Sequence, residues 1–320
     1  MTTQNVEKTD LKTMLRIRYM EQYAEAAYQQ GHVGGFFHSY IGQEAVQVSC
    51  MSVFGQDNWW ITSYRCHALA LLCGASINEI FAELYGKVTG NAAGRGGSMH
   101  LYGKRLMGGF GIVGGQTPIA AGAAFALKYK GIKNACAICF LGDGAAVQGV
   151  FHETLNLAAM WTLPVLYIIE NNNWSMGTGL GNTHAVSDNL AARIAYTYDI
   201  KSDKCSGMDY YSLMQTFENA KSYINQTGKP MIIEVNTERF RGHSISDPGN
   251  YRTKESLQES KSKDSIRAME NILLENKIIT EDELMEYKAQ LQDEMKSAMS
   301  FAEKSAWPTI DGIEREVMAP

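Results

Sequence analysis

The sequence has no apolar run near the length of about 20 residues that a membrane-spanning helix requires, and residues 1–10 are polar. It also has no excess of positive charge, because 29 lysines and arginines against 34 aspartates and glutamates give a net charge of -5. The first absence argues against secretion and membrane insertion. The second argues against a nucleic-acid backbone or an acidic membrane as the partner. The sequence therefore predicts a cytoplasmic globular protein that holds any phosphate it binds in a local site.

Six cysteines are spread through 320 residues, a usage that favours reduced thiols over a disulfide framework. Cys136 and Cys139 form one C-x-x-C pair, but no second pair follows to complete a zinc site. The pair lies in an apolar run that predicts a buried strand, where an odd separation places two side chains on opposite faces. We therefore predict neither a redox role nor a zinc-binding role for these thiols.

Internal repeats and low-complexity linkers are also missing, which argues against a string of separate modules. Apolar periodicity instead predicts alternating helices and strands. The predicted helices are Lys12–Gln30, Pro118–Tyr129, Val150–Trp161 and Tyr211–Ile224, and the predicted strands are Ala135–Leu141, Pro164–Ile169 and Met231–Val235. Strand, helix and strand in this order are typical of a parallel βαβ unit. We predict one doubly wound α/β domain with a mostly parallel sheet.

Helical extensions are predicted on both sides of this domain. We assign residues 1–35 to an N-terminal helical extension, residues 36–252 to the α/β domain and residues 253–320 to a C-terminal helical extension. Thr280 and Glu283 form a capping box in the last of these. An apolar stripe follows at helical spacing, formed by Leu284, Tyr287, Leu291, Met295, Ala298 and Ala302. The stripe is expected to pack on the core or on a partner chain.

The predicted strand that ends at Leu141 leads into Gly142-Asp143-Gly144-Ala145-Ala146, and a helix follows within a few residues. Open α/β sheets bind ligands at such strand ends, and the start of a helix favours a phosphate. A carboxylate beside a phosphate repels it unless a cation lies between them, so Asp143 implies a bridging divalent metal. Magnesium, which prefers oxygen ligands, is the natural candidate.

The next predicted strand ends in Glu170-Asn171-Asn172-Asn173-Trp174. If the two strands are parallel neighbours, these amide oxygens lie at the same sheet edge as Asp143. Amides are neutral oxygen ligands that complete a magnesium site without adding charge. The two strand ends together are the strongest functional signal in the sequence.

Gly142-Asp143-Gly144, a gap of 26 residues and Asn171-Asn172 resemble the fingerprint of thiamine-diphosphate-binding proteins. The resemblance extends over most of residues 10–305 and is to alpha subunits of 2-oxo acid dehydrogenases of the pyruvate dehydrogenase type. The segments that carry it are Gly35-Phe36-Phe37-His38, Ile41-Gly42-Gln43-Glu44-Ala45, Tyr64-Arg65-Cys66-His67, Gly96-Gly97-Ser98-Met99-His100, Gly111-Ile112-Val113-Gly114 and Arg239-Phe240-Arg241-Gly242-His243-Ser244. It implies a sheet of the thiamine-diphosphate-binding type.

The resemblance also implies roles for individual residues. Asp143 and Asn172 would bind Mg²⁺ through their side chains, and Trp174, where many relatives have Tyr, through its backbone carbonyl. The remaining cofactor contacts would come from Tyr64 and Arg65 at the diphosphate, Gly144 and Ala145 in the turn beneath it, Gly111 and Val113 at the aminopyrimidine, and His243. His38 and His243 match histidines near the reacting carbon, where an imidazole binds a substrate carboxylate or moves a proton.

The activity implied by the resemblance is thiamine-dependent decarboxylation of pyruvate, with transfer of the acetyl group to a lipoyl group. The expected partners are a beta subunit, which would supply the glutamate that activates the cofactor in an α2β2 assembly, and the lipoyl domain of the acyltransferase core. Subunits that act on branched-chain 2-oxo acids or acetoin should share the fingerprint. Asp247-Pro248 looks more like the pyruvate type than the branched-chain type.

Two features of the sequence suggest functions of other classes. Gly109–Gly114 satisfies G-x-G-x-x-G, which is typical of nicotinamide oxidoreductases, but Lys104–Gly108 before it predicts no buried strand. A non-catalytic paralogue would explain two departures from the family pattern, Val147 and Phe110. Retention of Asp143, Asn172 and His243 argues against it.

Ser244 matches an inhibitory phosphorylation site of mitochondrial relatives, where an added double charge beside His243 would disorder the loop. The two other regulatory serines are missing and no transit peptide is expected, so phosphorylation control is a minor hypothesis.

Overall fold

The structure is a computed structural model that describes residues 3–185 and 187–311. The helices are α1 (Thr3–Gln29), α2 (Glu44–Phe54), α3 (His67–Leu72), α4 (Ile77–Leu84), α5 (Gln116–Tyr129), α6 (Gly149–Met160), α7 (Leu180–Thr183), α8 (Leu190–Thr197), α9 (Tyr210–Thr227), α10 (Lys254–Ser262), α11 (Ser265–Glu275) and α12 (Glu281–Lys304). The strands are β1 (Trp59–Ser63), β2 (Leu106–Phe110), β3 (Ala137–Gly142), β4 (Val165–Asn171), β5 (Trp174–Ser175), β6 (Thr178–Gly179), β7 (Lys201–Ser206) and β8 (Met231–Asn236).

Six strands form one parallel sheet in the order β2-β1-β3-β4-β8-β7, and β5 pairs with β6 in a short antiparallel hairpin. Alternate side chains of β3 belong to different hydrophobic clusters, as the two-residue period of a strand requires. The first cluster joins one sheet face to α1, α2, α4, α9 and α12, and the second joins the opposite face to α5, α6 and α8. Helices on both faces explain why every residue of β4 is buried. The prediction of an α/β fold with a parallel sheet is confirmed.

The two C-x-x-C cysteines lie where the strand period places them. Cys136 belongs to the first cluster and Cys139 to the second, and both thiols are buried and unbonded to each other. Burial raises the pKa of the Cys136 thiol to about 12, so this group stays protonated and unreactive at neutral pH.

Edge strands are where the sequence prediction was wrong. Lys104–Gly108 was predicted to contain no buried strand, but Leu106–Phe110 is edge strand β2, paired in parallel with β1. Its two glycines and the exposed Met107 give it little apolar character, and its register with β1 is irregular. The Gly-rich run from Gly109 to Gly114 therefore does follow a strand and precede a helix. The strand after α5 is β3, however, which lies beyond β1 in the sheet, so β2 and β3 are not adjacent.

The N- and C-terminal helices pack on the first cluster. Helix α1 begins at Thr3, earlier than the predicted Lys12, and α12 begins with the predicted capping box of Thr280 and Glu283. The apolar stripe of α12 contacts α4 and α1, so of the two expected positions, on the core or on a partner chain, the structure confirms the core. The division at residues 35 and 252 stays a prediction, and residues 1, 2 and 312–320 lie outside the described residues.

Helix α5 differs from α12 because one of its faces is apolar and exposed. Its exposed residues are Pro118, Ile119, Gly122, Phe125, Ala126, Lys128 and Tyr129, of which only Lys128 is charged. In the described ranges, no helix combines the length and the apolar character needed to cross a bilayer.

Candidate functional site

A cleft of about 230 Å³ opens at the carboxyl ends of β1, β3, β4 and β8, where open parallel sheets bind ligands. It is lined by Gln43, Ser63, Tyr64, Arg65, Val113, Gly114, Gln116, Gly142, Asp143, Gly144, Ala145, Glu170, Asn172, Trp174, Ser175, Met176, Arg239 and His243. The lining residues come from six separate stretches of sequence. The fold therefore brings together most of the residues that the sequence motifs singled out.

Asp143 enters the cleft from a 3₁₀ turn, Asp143–Val147, that follows β3 directly. Its backbone carbonyl accepts a hydrogen bond from Nε2 of His184 at 2.9 Å, which fixes the turn. The carboxylate is 1% exposed, and its Oδ2 atom has no hydrogen-bond partner among the described residues. Burial raises the pKa of this carboxyl group. A side chain on Gly144 would collide with Ser175, so the close approach of the two segments requires glycine there.

Asn172 enters the same cleft from the end of β4, the parallel neighbour of β3. Its Nδ2 atom donates to Oε1 of Gln43 at 3.1 Å, and its Oδ1 atom is buried with no hydrogen-bond partner in the described ranges. Asn171 turns away from the cleft, since its amide donates to Oε1 of Glu234 at 2.8 Å. Of the two adjacent asparagines, only Asn172 presents an oxygen to the cleft.

The two unpartnered oxygens, Oδ2 of Asp143 and Oδ1 of Asn172, fit a divalent cation. Buried polar atoms are rarely left without a partner, and one carboxylate plus one amide suits the oxygen preference of magnesium. Within residues 3–185 and 187–311 no group of three or more His, Cys, Asp and Glu side chains is placed to hold a metal ion. The remaining ligands would therefore be backbone carbonyls, phosphate oxygens and water. Trp174 lines the cleft from β5, with its ring against Tyr251 at 5.0 Å.

Two buried guanidinium groups give the cleft positive charge. Arg65 donates to the backbone carbonyls of Ser39 and His243, both at 2.7 Å. Burial lowers the pKa of Arg65 to about 10, which leaves it cationic at neutral pH. Arg239 donates to the carbonyl of Met176 at 3.1 Å and to the hydroxyl of Tyr251 at 2.7 Å. Because these hydrogen bonds are to neutral oxygens, much of the positive charge remains available to an anion.

His38 and His243 form a pair beside Tyr64. The two imidazole rings are 5.0 Å apart and nearly perpendicular, and the ring of Tyr64 lies 4.4 Å from that of His38. His243 lines the cleft, whereas His38 lies behind it, 5% exposed, with a buried Nδ1 atom that has no hydrogen-bond partner in the described chain. Burial and the nearby Arg65 lower the pKa of His38 to about 2 and that of His243 to about 4. Both imidazoles are therefore neutral at pH 7.

The lowered pKa values predict a dependence of folding stability on pH. An unfolded chain protonates these histidines below about pH 6.5, but the folded chain does not protonate His243 until about pH 4. The free energy of unfolding should therefore decrease as the pH falls from 6.5 to 4. The slope is at most about 1.4 kcal/mol per pH unit for each histidine, and less for the partly exposed His243. Urea unfolding of wild type and His243→Gln between pH 4.5 and 7 tests this, because the wild type should show the steeper decrease. Equal slopes would contradict a lowered pKa of His243 in the folded chain.

Some sequence-predicted residues lie outside the cleft. Of the two residues expected at the aminopyrimidine, Val113 lines the cleft and Gly111 does not. Gly111 lies next to the ring of His100 instead. Val147 is exposed, and Phe110 packs against the second hydrophobic cluster. These two residues, which depart from the family pattern, therefore do not line the cleft.

Sequence reasoning missed several residues that line the cleft, above all Gln43, Glu170 and Arg239. Gln43 and Arg239 belong to segments that carry the resemblance, which is the signal that could have found them. Glu170 precedes the Asn pair, and it accepts a hydrogen bond from the hydroxyl of Tyr40. Burial raises its pKa to about 7.

Comparison with known proteins agrees with this geometry. Residues 12–311 match the model of the family described as "Dehydrogenase E1 component". The chain belongs to the dehydrogenase E1 component family. Among its relatives, the pyruvate dehydrogenase E1 component subunit alpha of Rickettsia bellii (strain RML369-C) is 41% identical over 308 residues, which cover 96% of this chain and 94% of the relative. The mitochondrial type I subunit alpha of Ascaris suum is 42% identical over 291 residues, covering 90% of this chain and 72% of that protein. The E1 family is thiamine-diphosphate-dependent, in agreement with the residues around Asp143.

Proposed function

We propose that this chain is the alpha subunit of a pyruvate dehydrogenase (acetyl-transferring). It would take part in the thiamine-dependent decarboxylation of pyruvate and in the transfer of the acetyl group to the lipoyl group of an acyltransferase core. The observation that carries the proposal is the cleft itself, where two unpartnered oxygens, two guanidinium groups and the neutral His243, with His38 behind it, converge. The names of the relatives support the choice of pyruvate.

The cleft residues divide the binding of thiamine diphosphate and Mg²⁺ among them. Side chains of Asp143 and Asn172 and the carbonyl of Trp174 would hold the metal. The diphosphate would lie on Tyr64, Arg65, Gly144 and Ala145, with Arg239 as a further cation. Val113, with Gly111 two residues before it, would hold the aminopyrimidine. When bound, thiamine diphosphate supplies the electron-accepting carbon centre that decarboxylation of a 2-oxo acid needs.

The histidine pair would act on the substrate. A neutral imidazole donates one hydrogen bond and accepts another, so His243 at the cleft wall can bind a substrate carboxylate or move a proton at a developing alkoxide. His38 would orient the imidazole of His243 from behind, and Arg65 fixes the backbone next to each histidine through the carbonyls of Ser39 and His243.

Ser244, next in the chain after His243, is 8% exposed and hydrogen-bonds to Ser246 at 3.1 Å. Phosphorylation there would therefore require this loop to open.

The choice of substrate can be tested directly. The chain and its beta partner, supplied with thiamine diphosphate, Mg²⁺ and an artificial electron acceptor, should oxidise pyruvate faster than a branched-chain 2-oxo acid or acetoin. A preference for either of the other compounds would reassign the substrate and leave the cofactor site intact. Absence of turnover with all three would favour the non-catalytic paralogue.

A beta subunit would complete the site by supplying the glutamate that activates the cofactor, and α5 offers a surface for it. The outward side of α5 is apolar except for Lys128 near its end, and Gly122 and Ala126 at its centre allow another helix to approach closely. The helix begins at Gln116, itself a cleft residue, so a chain packed on α5 extends to the cleft. The acetyl group would then be transferred to a lipoyl domain that reaches the cleft.

Replacing Gly122 with leucine should weaken association with the beta subunit without unfolding this chain. A Cβ atom at Gly122 meets no atom within 4 Å in this chain, so the substitution fits the isolated subunit. Overpacking of a close interface costs about 1–3 kcal/mol, which is roughly a 5- to 150-fold loss of affinity. Sedimentation velocity of the mixed subunits measures this, with Glu218→Leu on the exposed, polar side of α9 as the control. Equal affinities for Gly122→Leu and wild type would exclude α5 from the interface.

A further inference from the structure

Gln43 is a buried polar residue of the cleft to which the sequence motifs assign no role. It is 2% exposed and lies immediately before α2. Its backbone N–H donates to the carbonyl of Tyr40 at 3.1 Å. Gly42 before it has φ +102°, and a side chain there would collide with the carbonyl of Glu238. The backbone at Gln43 is therefore held tightly.

Glu44, on the other side of Gln43, adds a second constraint. Its carboxylate is fully buried and is paired with Arg18 of α1, which also pairs with Asp264 at 2.8 Å. The same carboxylate accepts the N–H of Gly42 at 2.9 Å. This network fixes the start of α2 against α1 and α11, so the side chain of Gln43 extends into the cleft from a rigid base.

The contact between Gln43 and Asn172 determines which atom of Asn172 faces the cleft. A carboxamide has an oxygen on one side and an NH₂ group on the other, and rotation about its last bond exchanges them. Oε1 of Gln43 accepts from Nδ2 of Asn172 at 3.1 Å, and this leaves Oδ1 of Asn172 as the atom that faces the cleft. We propose that Gln43 is a positioning residue that fixes this amide orientation and so sets the affinity of the site for a divalent cation. The proposal rests on the proposed function, since it concerns the same metal site.

Loss of the acceptor at residue 43 has a defined physical consequence. The amide of Asn172 would then turn freely, and in one of its two orientations the NH₂ group, which repels a cation, would face the cleft. Groups that orient a metal ligand without touching the metal typically contribute about 10–100-fold in metal affinity. The effect should therefore appear in cation affinity, while the fold is retained.

The experiment uses Mn²⁺ as a spectroscopic substitute for Mg²⁺, measured by electron paramagnetic resonance in the presence of thiamine diphosphate and the beta subunit. Gln43→Met keeps the side-chain length and removes the acceptor, and it should weaken Mn²⁺ binding about tenfold or more. Gln43→Glu keeps an acceptor for Nδ2 of Asn172 and should not show this weakening. Thermal unfolding of each variant shows whether it is folded.

Gln47 provides a matched control one turn further along α2. It is fully buried, and neither atom of its carboxamide has a hydrogen-bond partner among the described residues, so Gln47→Met removes no bond to the site. Its Mn²⁺ affinity should equal that of wild type. Equal binding by Gln43→Met and wild type would overturn the positioning role, and so would equal weakening in Gln43→Met and Gln43→Glu. If the wild type itself binds no Mn²⁺, the proposed function fails, which is a different result from the failure of Gln43 alone.

Discussion

Replacing Asp143 with alanine should strongly weaken magnesium-dependent binding of thiamine diphosphate. The two oxygens that fit the cation belong to the carboxylate of Asp143 and the amide of Asn172. Loss of Asp143 therefore leaves the metal with only the neutral amide. We expect cofactor affinity to fall at least about a hundredfold, since removing a direct metal ligand costs more than the 10–100-fold of an indirect one. Calorimetric titration of thiamine diphosphate with Mg²⁺ into the mixed subunits measures the change.

Asp143→Asn is the matched variant, because it keeps the shape of the side chain and removes the charge. Its affinity should lie between those of wild type and Asp143→Ala. Because burial raises the pKa of Asp143, the wild-type carboxylate is destabilised unless a cation is present, and its substitution should not unfold the chain. Unchanged cofactor binding in Asp143→Ala would disprove the metal site.

Replacing His243 with glutamine should lower turnover about a hundredfold or more. The affinity for the cofactor should fall much less, because His243 is only one of several expected cofactor contacts. Proton transfer or its equivalent by one positioned side chain typically contributes 10²–10⁴-fold. His243 is the member of the histidine pair that lines the cleft, whereas the proposed metal and diphosphate contacts are made by other lining residues, Asp143, Asn172 and Arg65. Steady-state kinetics with pyruvate, together with the cofactor titration, separates the two effects.

His32→Gln is the control for His243→Gln. His32 is stacked on Tyr85 at 5.0 Å, in a region that shares no lining residue with the cleft. Its substitution should leave turnover unchanged. A full loss of cofactor binding in His243→Gln would show that this residue holds the loop and does not act on the substrate.

The central strands could be predicted from the sequence because they are buried on both faces. β3, β4 and β8 appear as continuous apolar runs, and the predicted limits differ from those in the structure by at most two residues. Once these strands are parallel, Asp143 and Asn172 must lie at the same sheet edge. The edge strands gave no such signal, since β7 is almost entirely polar and β2 contains two glycines.

Contacts between distant segments account for what the sequence did not predict about the site. Arg65 holds the carbonyl of His243, which lies 178 positions away, and Gln43 binds Asn172, which lies 129 positions away. No local sequence pattern predicts either contact, because each depends on the packing of complete helices and strands. The apolar face of α5 was missed for a related reason. An Ala-rich helix next to a sheet looks buried on every side, and only the structure shows which side faces outward.

The central claim is that a divalent metal binds between Asp143 and Asn172. The most direct test is a crystal structure of this chain with its beta partner, thiamine diphosphate and Mn²⁺, in which anomalous scattering locates the metal. The account predicts one strong anomalous peak within about 2.0–2.3 Å of both Oδ2 of Asp143 and Oδ1 of Asn172. A cofactor bound elsewhere, or a metal that contacts neither oxygen, would contradict it.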